Sequence, residues 1–319
     1  MTSTWEPHPW VTEGSARVRF SVTGGSQSDW PRLVQFVQRV EALDFDAYWL
    51  ADHPIRAAGC WTTLAGLAVL THSVRLGVLV SCVLYRSAAE VARMAADVDR
   101  MSGGRFILGL GIGIEDQEFK RLGMAMPSVR ERLQALEETV VSVRRLWSGE
   151  MQPPPLQSPR VPILIAGSGE KHTLRQVAQY ADAANLAPPV TMGPTYALSA
   201  EDLRRKLSVL EQHCRDVGRP VSSVVVAHSA GPVIVSENPE RITEKLNAVP
   251  EVTRTRFQNM GIMGTPEEVT QVYQGLVDLG LNYFVAGVIG NDLETLELLG
   301  TRVVPNVIPK GLVQSTAVA

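Results

Sequence analysis

The amino-acid sequence predicts an α/β fold in which eight strands and eight helices form a (β/α)8 TIM barrel. Strand-like and helix-like segments alternate along most of the chain. The strand-like segments are short continuous apolar runs, which is typical of parallel strands covered on both faces. The length of 319 residues suits a single barrel core. We therefore expect a flexible tail over residues 1–15, one barrel domain over 16–308 and a C-terminal tail over 309–319.

The predicted strands are bounded by glycine, proline and acidic residues, which favour turns. The strongest is Phe106–Leu110, which follows the Gly103–Gly104 turn that ends a helix. The eight strands are predicted at Ala16–Val22, Asp46–Ala51, Val74–Val80, Arg105–Gly111, Pro162–Ala166, Asp182–Ala187, Ser222–His228 and Leu281–Val288.

The predicted helices show apolar residues at helical spacing and capping residues at their starts. Thr265-Pro266-Glu267-Glu268 is a capping box with proline in the first turn. The helices are predicted after Ser28 or Asp29, over Trp61–Thr71, up to Met101, from Val129, over Lys171–Ala181, from Ala200, after Thr265 and after Asn291.

Two connections are too long to be simple strand-to-helix loops. Ile114–Ser128 follows the fourth strand, and Gly231–Gly264 follows the seventh. Both leave the carboxyl ends of strands, where the active sites of this fold lie. We interpret these insertions as lid or pocket elements.

Composition and charge exclude several classes of function. The formal net charge is −3, and the basic residues are scattered, so neither a nucleic-acid partner nor a membrane surface is indicated. The three cysteines are far apart and no residues have metal-ligand spacing, so we expect no metal site. Without a signal-peptide pattern or a long apolar run, we expect a cytoplasmic protein that acts on a small molecule.

Asp52-His53 is the first candidate for chemistry, because it directly follows the second predicted strand. A histidine at that position could exchange a proton near neutral pH, with the adjacent carboxylate orienting it or binding a ligand. A histidine taken alone is more often a loop residue without a catalytic role. Its position on the expected active face favours function.

Two glycine-rich segments are candidates for binding an anion or a cofactor. Ala166-Gly167-Ser168-Gly169 joins the fifth strand to a helix, so its N–H groups could hold a phosphate, although a simple turn would have the same composition. Gly109, Gly111 and Gly113 remove the side chains from one face of the fourth strand. Close approach of a cofactor and tight packing explain these three glycines equally well.

Taken together, these segments resemble the bacterial luciferase-like superfamily of flavin- and deazaflavin-dependent oxidoreductases. The resemblance runs from about Arg17 to Gly300 and depends on the order and spacing of its motifs. The Gly167–Lys171 loop and the helix end at Leu210–Arg219 are similar to the branch that uses coenzyme F420, a deazaflavin. The motifs are Leu43–His53, Val74–Gly77, Ser102–Gly113, Ile165–Lys171, Tyr180–Asp182 and Gly264–Glu268.

The resemblance implies a cofactor across the barrel mouth and His53 as the proton donor or acceptor. It also implies a cis peptide, not preceding proline, at or beside Leu79–Val80. An acidic residue directly follows the last glycine of the fourth strand in the deazaflavin sugar-phosphate dehydrogenases, whereas this chain has Ile114 there, which argues against a sugar-phosphate substrate. The implied cofactor-binding residues are Asp52, Leu79, Val80, Ser81, Gly111, Ile112, Gly113, Ala166, Gly167, Ser168, Gly169 and Ala187.

The expected function is hydride transfer between F420 and a small organic substrate. One alternative is a monooxygenase that uses FMN, reduced by a partner flavin reductase, and oxygen. Another is a non-catalytic ligand-binding barrel, against which the intact Asp52-His53 pair and glycine loops argue. The resemblance further implies a homodimer.

Overall fold

Eight parallel strands close into a barrel with helices around it, which confirms the predicted fold. The structure is a computed structural model. It describes residues 6–14, 17–114, 116–186, 197–229, 231–249, 251, 254–255 and 260–310. No helix within these ranges is long and apolar enough to cross a membrane.

The barrel strands follow one another in chain order, and the last strand closes the barrel by pairing with the first. Every pairing in the sheet is parallel, so all strands end at the same rim. The strands are β1 (Arg19–Thr23), β2 (Ala47–Leu50), β3 (Arg75–Cys82), β4 (Phe106–Gly111), β5 (Ile163–Ala166), β6 (Ala183–Leu186), β7 (Val225–His228), β8 (Pro232–Val235), β9 (Ile262–Gly264) and β10 (Tyr283–Val288).

The helices begin close to the predicted caps. Asp29 accepts the Arg32 N–H, and the capping box at Thr265 is present. The helices are α1 (Pro9–Glu13), α2 (Trp30–Ala42), α3 (Cys60–Leu70), α4 (Ala88–Met101), α5 (Asp116–Arg121), α6 (Val129–Arg145), α7 (Thr173–Tyr180), α8 (Ala200–Asp216), α9 (Pro239–Ala248), α10 (Pro266–Asp278) and α11 (Leu293–Leu298). Short 3-10 or π turns occupy Leu146–Glu150, Val221–Ser223, Leu299–Val303 and Val304–Asn306.

The cap predicted for the last helix is wrong by one residue. Asp292, not Asn291, caps α11, because its carboxylate accepts the Thr295 N–H. The Asn291 side-chain oxygen instead accepts the N–H of Ser26 at 2.8 Å. Asn291 therefore links the loop after β10 to the loop after β1.

The insertion after β7 contains two strands that the sequence analysis did not predict. β8 pairs with the end of β10 at Gly287 and Val288, beyond the point where β7 pairs with β10, and β9 pairs with β8. These strands have four and three residues, too few for a reliable sequence pattern. The sheet thus extends beyond the eight-stranded barrel on this side.

The N-terminal segment closes the bottom of the barrel, so the predicted flexible tail over residues 1–15 is wrong for its described part. Trp10 on α1 is 1% exposed and packs edge-to-face on Tyr283, with ring centroids 5.7 Å apart. Its indole N–H donates to Asp46, and its carbonyl accepts from Arg19. The burial of this large aromatic ring, together with the neighbouring Val11, anchors the segment.

The predicted cis peptide is present between Leu79 and Val80. The register between β3 and β4 shifts between Val78 and Ser81 at this point. The resulting bulge places Leu79 and Val80, both partly exposed, against the cluster of side chains that fills the barrel. The upper wall of the barrel is therefore apolar on the β3 side.

Candidate functional site

The carboxyl ends of the parallel strands meet at one rim, where (β/α)8 barrels have their active sites. Asp52 and His53 follow β2, Ser81 lies near the end of β3, and the 111–113 and 166–169 segments follow β4 and β5. The structure thus brings nearly all of the predicted site to one rim of the barrel. Ala187 lies outside the described residues.

Asp52 is buried and holds the ends of two strands together. Its Oδ2 accepts a hydrogen bond from the Ser81 hydroxyl at 2.8 Å. Arg86, which follows β3, binds both carboxylate oxygens and forms an ion pair with Asp52. A two-pronged arginine–carboxylate pair has a fixed geometry, so it holds the chain beside His53 in place. The predicted contacts of Asp52 and Ser81 with a cofactor stay predictions.

His53 lies at the rim and bonds to a buried glutamate from the insertion after β4. Its side chain is 32% exposed, and its Nδ1 lies 2.9 Å from Oε2 of Glu118, whose side chain is 2% exposed. The Tyr85 hydroxyl donates to the same oxygen at 3.1 Å. Burial, together with the nearby charge of Glu118, raises the pKa of Tyr85, so this hydroxyl stays protonated.

The short helix α5 is held against the barrel by Phe119, which is fully buried. Its ring packs against Tyr85 with centroids 5.4 Å apart. Glu118 precedes Phe119 and is thereby directed at His53. A small cavity of about 180 Å³ lies between α5 and the chain after His53, lined by Ile55, Arg56, Gln117, Glu118 and Arg121. The insertion after β4 thus forms part of a pocket, as predicted.

The glycines of β4 accommodate the bulge of β3. A Cβ on Gly111 would lie 2.5 Å from a methyl carbon of Val80, and one on Gly109 would meet the Val78 carbonyl. A Cβ on Gly113, which has φ +73°, would lie 2.8 Å from the sulfur of Cys82. Packing therefore explains these glycines, and Leu79 and Val80 form the partly exposed apolar surface on this side of the rim.

The segment after β4 is fixed by a buried arginine. The Arg132 guanidinium donates to the Gly113 carbonyl at 2.5 Å and approaches the Ile112 carbonyl at 3.4 Å. Burial lowers the pKa of Arg132. Ile112 and Gly113 are both partly exposed, so their backbone faces the rim from a fixed position.

The loop between β5 and α7 combines tight packing with an uncapped helix start. A Cβ on Gly169 would lie 3.0 Å from Oγ1 of Thr173, and Gly167 has φ +130°. No side chain caps α7 at His172. Ala166 remains partly exposed, while Ser168 is buried. An anionic group at this loop would meet the positive end of the helix dipole.

Basic side chains stand behind this loop. Lys206 donates to the Ser168 carbonyl at 2.8 Å and to Glu170 at 3.0 Å, and Arg205 pairs with the same glutamate. These bonds lower the pKa of Glu170, with the hydrogen bond from Lys206 the largest cause. Arg205 also pairs with Asp202 at 2.7 Å, so two cations and two carboxylates form a balanced cluster behind the loop. The start of α7, which no side chain caps, is therefore the feature of this loop that fits an anionic group such as a phosphate.

Sequence reasoning did not identify four side chains that organise the site: Arg56, Tyr85, Arg86 and Glu118. Tyr85 and Arg86 lie three and four residues after the end of β3, so their place near the rim was a usable signal. Glu118 lies in an insertion that was interpreted as a pocket element, and its acidic character was the only further sign. Within the described ranges, no cluster of His, Cys, Asp and Glu could hold a metal ion.

Comparison with known proteins shows which family the chain resembles in sequence. A family model described as luciferase-like monooxygenase matches residues 14–259. The chain is 25% identical to the F420-dependent glucose-6-phosphate dehydrogenase of Amycolatopsis mediterranei (strain U-32), over 87% of this chain and 93% of that protein.

Solved structures share the fold. An F420-dependent secondary alcohol dehydrogenase, in complex with an F420–acetone adduct, superposes with a TM-score of 0.73 at 19% identity, over 91% of this chain and 99% of that one. The EDTA monooxygenase from Chelativorans sp. BNC1 superposes with a TM-score of 0.72 at 16% identity, over 92% and 95% of the two chains.

Proposed function

Because the chain belongs to the luciferase-like monooxygenase family, we propose that this oxidoreductase uses coenzyme F420 and transfers a hydride between it and a small organic substrate. Enzymes described as F420-dependent occur both among the proteins of similar sequence and among those of similar structure. The Gly167–Lys171 loop, which resembles the F420 branch, supports the same choice of cofactor.

The observation that carries this proposal is the placement of His53. Its side chain is partly exposed at the rim, and its Nδ1 is bonded to Glu118. The other ring nitrogen, Nε2, is therefore the atom proposed to give a proton to the substrate or take one from it. A histidine whose Nδ1 is held by a carboxylate and whose ring is partly exposed is suited to this task.

The remaining residues would bind and orient. The deazaflavin, when bound, supplies the hydride chemistry. Leu79 and Val80 would support a planar ring, because they form the partly exposed apolar wall. The backbones of 111–113 and 166–169 would hold the phosphate-bearing end, and the uncapped start of α7 at the second loop favours that orientation. Ile114, where sugar-phosphate dehydrogenases have an acidic residue, supports a substrate of a different kind.

The first test is a comparison of cofactor affinities. We expect the purified chain to bind F420 at least tenfold more tightly than FMN, a difference of about 1.4 kcal/mol. Fluorescence titration of the apo-protein with each cofactor measures both dissociation constants. Equal affinities, or tighter binding of FMN, would instead assign the chain to the monooxygenases that receive reduced FMN from a partner reductase.

We also propose a homodimer, and the surface of α3 supports it. The helix Cys60–Leu70 contains no charged residue. The Trp30 ring lies over Gly66, where a Cβ would come within 2.7 Å of it, and Leu70 follows one turn later on α3. Trp30 and Val69 are 43% and 59% exposed. An apolar surface of this kind is typical of a contact between subunits.

Substituting Trp30 tests the dimer. We expect the wild-type chain to have twice the monomer mass by light scattering after size-exclusion chromatography, and Trp30→Glu to have the monomer mass, because a charge there would be buried without a partner. Val272→Glu is the control, since Val272 is similarly exposed on α10. A monomeric wild type, or a Trp30→Glu variant that still dimerises, would contradict the proposal.

A further inference from the structure

Glu118 combines burial, a direct bond to His53 and an unsatisfied oxygen. Its Oε2 accepts from Tyr85 and lies 2.9 Å from the His53 ring, whereas Oε1 is buried without a hydrogen-bond partner among the described residues. Burying a carboxylate with an unpaired oxygen costs folding free energy. Stability therefore does not explain this residue, and a role at the site does.

We infer that Glu118 is the positioning residue of His53 and fixes the ring with its proton on Nδ1. A carboxylate oxygen only accepts hydrogen bonds, so the nitrogen beside it must donate. Tyr85 donates to the same oxygen, which limits the remaining directions from which His53 approaches it. The neutral ring then has its lone pair on Nε2, which is the atom that the proposed function requires.

Arg56 presents the competing arrangement. One of its terminal nitrogens lies 3.0 Å from Nδ1 and 3.4 Å from Nε2 of His53. A guanidinium only donates, so Nδ1 cannot both accept from Arg56 and donate to Glu118. The hydrogen bond to Glu118 is the one that is kept, because the carboxylate is buried and would otherwise lack this donor. Arg56 lies at the solvent-exposed edge of the cavity, where water can accept its hydrogen bonds instead. Arg56 thus lies along the ring edge without fixing its tautomer.

The tautomer of His53 tests this inference without any cofactor. The chain, labelled with ¹⁵N in its histidines, is measured by long-range ¹H–¹⁵N correlation at a pH where the ring is neutral. His53 is assigned by its loss in His53→Gln. We expect the proton on Nδ1 in the wild type and in Glu118→Gln, whose amide oxygen still accepts. In Glu118→Met, which fills the same space without an acceptor, we expect signals averaged between the two tautomers.

Turnover supplies the second measurement, and the result expected from it rests on the proposed function. With bound cofactor, Glu118→Met should lower kcat about tenfold or more and leave KM and cofactor affinity within a few-fold, while Glu118→Gln retains most of the activity. Asp116→Asn, on the exposed face of the same helix, is the matched control and should change neither readout.

The two hypotheses fail in different ways. A wild-type His53 with its proton on Nε2 overturns the inference whatever the reaction is, and so does a Glu118→Met variant with an unchanged tautomer. If the tautomer is as expected but His53 is dispensable for turnover, Glu118 still positions the ring and the proposed role of His53 is wrong. Should Glu118→Met fail to fold, the wild-type tautomer alone decides.

Discussion

His53→Ala should lower turnover with bound cofactor by about 10²–10⁴-fold, because it removes the proposed proton donor or acceptor at the rim. Cofactor affinity should change much less, since the apolar wall and the two loops belong to other strands. The pH–rate profile of the variant should lack one of the limbs that the wild-type profile has. Steady-state kinetics across pH and a cofactor titration measure these three quantities.

Two further variants separate the effect of proton transfer by His53 from the effect of the packing of its ring. His53→Gln keeps a side-chain N–H that could donate to Glu118 but cannot exchange a proton near neutral pH, so it should be nearly as slow as His53→Ala. His72→Ala removes an exposed histidine just before β3, at the opposite end of the barrel, and should leave turnover unchanged. If affinity and turnover fall together in His53→Ala, the ring only packs against the cofactor. Full turnover with an unaltered pH profile would contradict both roles.

The barrel was predictable because its signals are local. Continuous apolar runs such as Phe106–Leu110 mark buried strands, and caps such as Asp29 and Thr265 mark helix starts within a few residues of the chain. The family resemblance gave the cis peptide between Leu79 and Val80, which composition alone does not indicate.

The errors come from contacts between distant parts of the chain. Trp10 is held by contacts with residues far along the chain, among them its bond to Asp46 and its packing against Tyr283, and these order the segment. β8 is too short to recognise by itself and forms against the end of β10. The sequence of β4 alone could not show whether a cofactor or packing requires Gly111. The group that a side chain at this position would meet is Val80, which lies on the neighbouring strand.

In the candidate site, too, local signals were predictable and contacts between distant residues were not. Asp52 and His53 were identifiable because they directly follow a strand whose end must lie at the rim. The partner of His53 was not identifiable, because Glu118 is 65 residues away and reaches the ring only through the packing of α5 by Phe119. Chemistry that depends on a hydrogen bond across the rim therefore required the structure.

Gly169→Asp should weaken cofactor binding at least tenfold, about 1.4 kcal/mol, with little change in thermal stability. The proposed phosphate site lies at the loop before α7, where a carboxylate would repel an anion and would itself take up the positive end of the helix dipole. A side chain at this position must also fit beside Thr173, because a Cβ would lie 3.0 Å from Oγ1 of that residue. The effect of charge therefore has to be separated from the effect of size.

Gly169→Asn provides that separation, because asparagine has nearly the size of aspartate without its charge. We expect Gly169→Asn to bind the cofactor several-fold more tightly than Gly169→Asp in paired titrations, and the difference between them to shrink as salt screens the repulsion. Equal affinities of the two variants would show that the crowding against Thr173 is responsible. Wild-type affinity in a folded Gly169→Asp variant would place the phosphate away from this loop, leaving the 111–113 segment as the candidate.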